Sequence, residues 1–360
     1  MKDDIKNNII GFSIYNQYTV GDTILGIASG LCKKYGWSTE DIKSGSIGKR
    51  KALEYTIKAA TECKDVYAIA TVLFLKEYSS EIENVGYCIT NEALLIEMIE
   101  ILESIEDKDE FVCFLLGRAN FSGRGAELDF EKVLYYFDRA AKGGIEIAML
   151  FYHEVKGEFD AIFNLAERLA RQYPDSHIIK FYLAHCCYHG YGTEKNYEKV
   201  VELVGYTAET ETCNNDPIDY YFLASRYLLG LCYFHGYAVE KDLRRAGELF
   251  HCSGASYNPE AWYTEAITML LSDKDKDPTY IWHLLEKSAL RGCLPAARKV
   301  MLCLRVGYGV EPDKELYTQY ADYYDHEKET GETVSDLGYE ADHCDLIDRK
   351  KKVIKDDEID

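Results

Sequence analysis

Four stretches of the chain follow one spacing rule: a helix-like run, a glycine, a polar residue six positions on, then a second helix-like run. They are LLGRANFSGRG around Gly123, LAHCCYHGYG around Gly190, LLGLCYFHGYA around Gly236 and VMLCLRVGYG around Gly307. The glycines are 67, 46 and 71 residues apart. Two of these gaps are close to twice 35, so each hides a degenerate unit, and a period in the thirties means stacked helix pairs. The middle gap is one unit plus an insertion, for which TAETETCNNDPID (207–219) supplies a loop-like sequence. A chain of 360 residues would otherwise suggest two or three globular domains, but a helical array grows in one dimension.

Aligning the four stretches gives each position a physical role. Seven residues before the glycine stand Leu116, Leu183, Leu229 and Val300. Six before stand Gly117, Ala184, Gly230 and Met301, and four before stand Ala119, Cys186, Cys232 and Cys303. Large apolar and small residues at helical spacing make a face that lets another helix approach closely. Two positions after the glycine come Gly125, Gly192, Ala238 and Gly309, suited to the positive φ of a tight turn. Six after come Asp129, Asn196, Asp242 and Asp313, residue types that cap a following helix. That second helix carries Leu134, Leu203 or Leu249, and the first unit closes on Ala140-Ala141 before Gly143-Gly144.

The same grammar finds units between the strong ones. KALEYTIKAA (51–60) reads as a second helix ending in Ala59-Ala60. DPTYIWHLLEKSALRG (277–292) is another, with Asp277 as its cap and Ser288-Ala289 as its small pair. Its first helix is AWYTEAITMLL (261–271), with SDKDKD in place of the glycine, and EFDAIFNLAERLARQYP (158–174) is a second helix ended by Pro174.

LGLCYFHGYAVEKDLRRA (229–246) and LGRANFSGRGAELDFEKVLYYFDRAAKGG (116–144) resemble Sel-one-like repeats (SLR), relatives of tetratricopeptide repeats. Leu229, Gly230, Tyr233, Gly236, Val239, Asp242 and Ala246 match that pattern directly. Ala238 departs from its second glycine, and Asn120, Cys187 and Leu304 depart from its tyrosine. The resemblance covers about residues 49–325, with strong units near 111–144, 178–208, 224–255 and 296–325 among about seven helix pairs. It implies an all-α fold, a right-handed alpha/alpha superhelix (solenoid) of stacked antiparallel helix pairs, and a role in assembling protein complexes. It implies no activity.

Residues 1–48 are expected to form an N-terminal capping segment with a helix in TILGIASGLCKKYGW (23–37), because the end of a solenoid must shield its apolar face. Residues 326–360 are charge-rich and short of apolar periodicity, which predicts a disordered or loosely docked C-terminal tail. The functional alternative is a recognition segment folding back over the groove.

Charge and cysteine usage narrow the class. The formal net charge is -21 and the pI near 4.9. That argues against nucleic acid and anionic membranes, whose binding rests on Lys and Arg, and permits a partner with a basic surface. The N-terminal sequence MKDDIKNNIIGFSIYNQ lacks a signal peptide's apolar core and no 18-residue apolar run occurs, so a cytoplasmic location is expected. Twelve cysteines are then free thiols rather than a disulfide framework.

HCCYH (185–189) places His185 and His189 four apart on a helix, a spacing that suits zinc. The repeat gives the plainer explanation: Cys186 occupies the small packing position, His189 a variable one, and no spaced Cys pair completes a tetrahedron. GRGAE (123–127) and GYGTE (190–194) carry the repeat's glycines, not a phosphate cradle after a strand, and no nucleophile motif or H-E-x-x-H is present. No metal, no cofactor and no enzymatic activity are expected.

Positions nine, five and two before each glycine fall opposite the packing side of the first helix. They are Phe114, Arg118 and Phe121; Phe181, His185 and Tyr188; Tyr227, Leu231 and Phe234; and Arg298, Leu302 and Arg305. By analogy with tetratricopeptide arrays this face lines the concave groove, and aromatics and Arg dominate interface energies. The bland alternative is that the aromatics are core; the arginines are harder to bury unpaired. The expectation is a non-enzymatic scaffold or adaptor that binds a protein or peptide on its concave face. A regulatory protein sensing a small ligand in the groove is the alternative, and a host-directed bacterial effector is a variant of the first reading.

Overall fold

The structure, a computed structural model, describes residues 20–40, 42, 46–75, 92–122, 125–209, 220–254, 259–272, 277–328, 337, 339–342, 344–347 and 353–355. Gly123, the 210–219 part of the insertion and residues 273–276 of SDKDKD lie outside these. Residues 207–209, read as loop, are the end of a helix. The chain divides into two compact units: residues 1–195 with 211–219, and residues 196–210 with 220–360.

Unit 1 carries α1 (Val20–Tyr35), α2 (Ser46–Thr61), α3 (Val66–Leu75), α4 (Glu92–Glu103), α5 (Glu110–Ser122), α6 (Phe130–Lys142), α7 (Ala148–Lys156), α8 (Phe159–Gln172) and α9 (His177–His189). Unit 2 carries α10 (Tyr197–Glu209), α11 (Tyr220–His235), α12 (Leu243–Gly254), α13 (Pro259–Leu271), α14 (Pro278–Ala289), α15 (Leu294–Val306) and α16 (Lys314–Lys328). It ends in α17 (Tyr339–Asp342) and the antiparallel pair β1 (Leu346–Ile347) and β2 (Val353–Ile354), which pairs Leu346 with Ile354. Within each unit, helices consecutive in the chain pack on one another, which is the all-α helix-pair architecture.

The turn inside a repeat is built by four residues acting together. Gly190, Gly236 and Gly307 adopt φ of 82, 78 and 77°, the left-handed region. Each donates its N–H to the carbonyl of the cysteine four residues back (Cys186, Cys232 and Cys303) at 2.8 to 2.9 Å. The next tyrosine (Tyr191, Tyr237 or Tyr308) donates to the same carbonyl at 2.9 to 3.1 Å. Two N–H groups thus satisfy the helix end. The second helix starts on the cap expected of it in all four repeats. Asp129 accepts from Lys132 N, Asn196 from Lys199 N, Asp242 from Arg245 N, and Asp313 from Glu315 N and Leu316 N, at 2.9 to 3.0 Å. The N–H groups of Asp242 and Asp313 also reach back to Tyr233 O and Leu304 O, tying the two helices together.

The second turn position does more than bend the chain. A Cβ on Gly125 would lie 2.8 Å from the Leu95 backbone, one on Gly192 3.0 Å from Asp160 Cα, and one on Gly309 2.0 Å from Pro278 O. Leu95, Asp160 and Pro278 all belong to the preceding second helix, so each turn beds its glycine on the neighbouring repeat. Ala238, at φ 58°, is the departure and carries a strained backbone. The tyrosine between the two turn positions reinforces the seam: Tyr191 stacks on Phe159 at 4.7 Å, and Tyr237 on Tyr197 at 4.2 Å.

Within a repeat the helices fit by size exchange. Gly117 leaves room for the Phe137 ring, whose Cδ1 would be 2.6 Å from an added Cβ, and Gly230 does the same for Phe250. In the same register of the last repeat the order is reversed, Met301 on α15 and Ala321 on α16. The α13–α14 pair uses its small residues differently, with buried Ser288 donating to Pro259 O at 2.6 Å.

Substituting Gly117 or Gly230 by Val should cost about 1–3 kcal/mol through overpacking against the phenylalanine, measured by urea unfolding. Ala238→Gly should instead stabilise by about 1 kcal/mol, as left-handed strain relieved outweighs the added chain entropy.

Candidate partner-binding face

The twelve residues expected to face a partner divide by burial. Phe114, Phe181, Tyr188, Tyr227, Leu231, Phe234 and Leu302 are all buried. They are core, as the bland alternative had it, and the continuous aromatic stripe does not exist as surface. Arg118, Phe121, His185 and Arg298 are half-buried, and Arg305 is exposed. The reason is enclosure. The first helices of the strong repeats are enclosed nearly all round: in α9, ten of the thirteen residues His177–His189 are buried, and in α15 nearly all from Pro295 to Leu304. The second helices carry the amphipathic pattern, with α6 burying Val133, Tyr136, Phe137 and Ala140 and α8 burying Ile162, Phe163, Leu165, Ala166 and Leu169.

In unit 1 the half-buried residues join a line across three first helices. On α5, the Arg118 guanidinium lies 5.1 Å from the centre of the Phe151 ring on α7. Phe151 stacks on Phe137 at 5.3 Å and meets Phe121 at 5.9 Å. Also on α7, Glu154 accepts from the Tyr182 hydroxyl of α9 at 2.5 Å. Burial pushes the Glu154 carboxyl up from its usual range, against the pull of Tyr182 and Arg118. Sequence reading passed over Glu154 and Tyr182 because α7 is short and lacks the repeat motif. Its one signal is Gly157, a left-handed cap at φ 67° three residues after Glu154.

His185 sits in an aromatic nest, 5.7 Å from Phe159, 5.8 Å from Phe181 and Tyr191, and 4.6 Å from His189. Burial first, and His189 second, lower its pKa to about 4, so it is neutral at pH 7. The neighbouring Cys186 thiol donates to Phe159 O at 3.8 Å, and burial lifts it to about 12. Burial likewise lifts Cys232 to about 12 and raises Cys303. These are thiols without thiolate character. The nine cysteines whose side chains are described are free, and the described residues hold no cluster of three or more His, Cys, Asp or Glu that could bind a metal ion. No described helix is long and apolar enough to cross a membrane.

In unit 2 the tail was expected to be disordered or loosely docked; of its described residues, Leu337, Ala341, Asp342, Leu346 and Ile354 are buried. Tyr263 of α13 donates its hydroxyl to Asp342 O at 3.3 Å, and the Lys299 ammonium of α15 donates to Cys344 O. Both side chains are fully buried. Elsewhere in the unit, buried Arg226 donates Nε to Ala208 O at 3.1 Å. Buried Glu265 accepts from Tyr280 at 2.9 Å and pairs with the largely exposed His251 ring at 2.8 Å. That pairing, by its hydrogen bond first, raises the His251 pKa.

The Sel1 repeat model matches residues 111–145, 180–199 and 223–256. Among solved structures, the chain is similar to a Sel1 repeat protein from Oxalobacter formigenes at 16% identity, covering 89% of this chain and 90% of that one, with a TM-score of 0.45. It is also similar to a protective antigen of uropathogenic Escherichia coli strains with an SLR fold, at 15% identity, 84% and 68% coverage and a TM-score of 0.32. No curated protein sequence matches.

The lowered His185 pKa has a signed consequence. The unfolded chain takes up a proton near pH 6.5 that the folded chain refuses down to about pH 4. Stability is therefore full above pH 6.5 and falls across that window, by a few kcal/mol at most. His185→Phe should flatten this slope relative to the native chain in urea unfolding between pH 4 and 7.5.

Proposed function

We propose that the protein is a non-enzymatic scaffold or adaptor that binds a partner protein or peptide on the first-helix face of its array. Sel1 repeats generally serve protein–protein interaction, and this chain carries three matched stretches of them. The observation that supports the reading most directly is the residue pattern on α15. Arg305 stands exposed in its last turn and Arg298 half-buried two turns earlier. Such arginines serve interfaces through planar, multidentate hydrogen bonding. The half-buried line of Arg118, Phe121 and His185 in unit 1 supplies a second contact region of mixed aromatic and charged character.

The partner we infer is a protein with a basic surface overall, matching the net charge of -21, and with a local acidic group for the two arginines. A cytoplasmic setting keeps the free cysteines reduced.

Affinity purification from the native organism with mass spectrometry tests the reading. A partner recovered with the native chain should fall at least tenfold with Arg298→Glu/Arg305→Glu, while the helical circular dichroism stays unchanged. Undiminished recovery would reject this face, and loss of helical signal would show that the arginines serve the fold instead.

A further inference from the structure

The scaffold reading concerns the first helices, while in unit 1 the second helices present a surface of their own. Four of the nine large apolar side chains that stand exposed among the described residues belong to it. They are Ile96 on α4, Leu128 in the turn before α6, and Phe130 and Tyr135 on α6, 43 to 55% exposed. Hydrogen bonds hold the two helices side by side. The Gly125 N–H donates to the Glu92 carboxylate at 3.2 Å, and the Tyr136 hydroxyl to that of Glu103 at 2.6 Å. The start of α4 thus lies against the turn, and its end against α6 itself. Ile96 follows Leu95, on whose backbone Gly125 is bedded. Leu128 stands three residues past that glycine, within about 11 Å of chain. At the other end, Arg139 donates to the Tyr135 hydroxyl at 3.0 Å and to Lys108 O, in the link after α4, at 3.3 Å. The four apolar residues therefore follow the helix pair as one strip.

Charge along the strip is one-sided. Glu97, Glu100, Glu127 and Glu131 stand exposed on the same elements, and none of them pairs with a described cation. The cations of α6 are already engaged: Lys132 lies 3.9 Å from Glu103, Lys142 2.6 Å from Asp138, and Arg139 is held by Tyr135. Apolar side chains left in water beside unneutralised carboxylates narrow the choice of occupant. An anionic lipid surface or a nucleic acid would be repelled. A second copy docking through the same patch would set glutamate against glutamate. A basic segment meets both needs, and two helices side by side offer a third the ridges and grooves on which helices pack.

We propose that the α4–α6 surface is a docking site for a basic amphipathic helix of a partner protein. That helix lays large apolar side chains on Ile96, Leu128, Phe130 and Tyr135, and sets lysines or arginines against Glu97, Glu100, Glu127 and Glu131. The proposal rests on the scaffold reading but uses other helices than the one bearing Arg298 and Arg305, so the two can fail separately.

A fluorescein-labelled synthetic amphipathic helix of leucine and lysine, titrated with the full chain and followed by anisotropy, tests it. Leu128→Ser/Phe130→Ser should weaken binding at least tenfold, and so should Glu97→Lys/Glu100→Lys. Glu198→Lys/Glu240→Lys makes the same change of charge at exposed positions of unit 2 and should leave binding unchanged. All six side chains are exposed, and helical circular dichroism checks that each variant is folded.

Equal losses in the two charge-reversed variants would mean attraction by net charge alone and would overturn the proposal. Undiminished binding by Leu128→Ser/Phe130→Ser would do the same, as would failure of the native chain to bind the peptide. A partner that still depends on Arg298 and Arg305 would then leave the scaffold reading standing and remove this surface alone.

Discussion

A helix packed against neighbours over most of its surface keeps few side chains for anything else, and this enclosure of the first helices governs the rest of the structure. It requires glycine where a second helix presses a phenylalanine in, at Gly117 and Gly230. It keeps cysteine thiols protonated and His185 neutral, since charge is costly where water is excluded. It also leaves polar side chains on these helices two options: a partner within the array, as Glu154 finds in Tyr182, or a place at the array's margin, as Arg305 has. The second helices expose more of their surface, and Phe130 and Tyr135 of α6 stand more than half exposed.

The turns were legible in the sequence because their requirements are local. Asp, Asn and Gly at fixed offsets act on backbone groups a few residues away, and no tertiary neighbour has to be known for Asp242 to cap α12. Helix periodicity is a weaker guide to the site. It told that Phe181 and His185 share a side of α9, and that is so, but whether a side is covered depends on helices far away in the chain. The aromatic stripe was therefore read as groove where it is core. Glu154 and Tyr182 were missed for a related reason: their pairing joins two helices, one of which lacks the motif.

The tail was illegible in another way. Charge density and weak periodicity describe residues 326–360 correctly, yet Leu337, Ala341, Leu346 and Ile354 suffice to seat the described part. Composition averages over a segment, while docking uses a few side chains and two carbonyls. Lys299, at a position held by Leu or Tyr in the other strong repeats, was the signal that something polar must come to meet α15.

The size exchange between helices bears on how such an array finds its order. Similar repeats in one chain invite a first helix to pair with the wrong second helix while folding. Here the pairs are keyed. Gly117 and Gly230 accept phenylalanines, whereas Met301 set against either ring would overfill the seam, and a glycine set against Ala321 would leave it hollow. By bulk, Met301 would thus disfavour the two phenylalanine-bearing second helices. Divergence of this kind favours the native order of packing, and making the repeats more alike would weaken that preference.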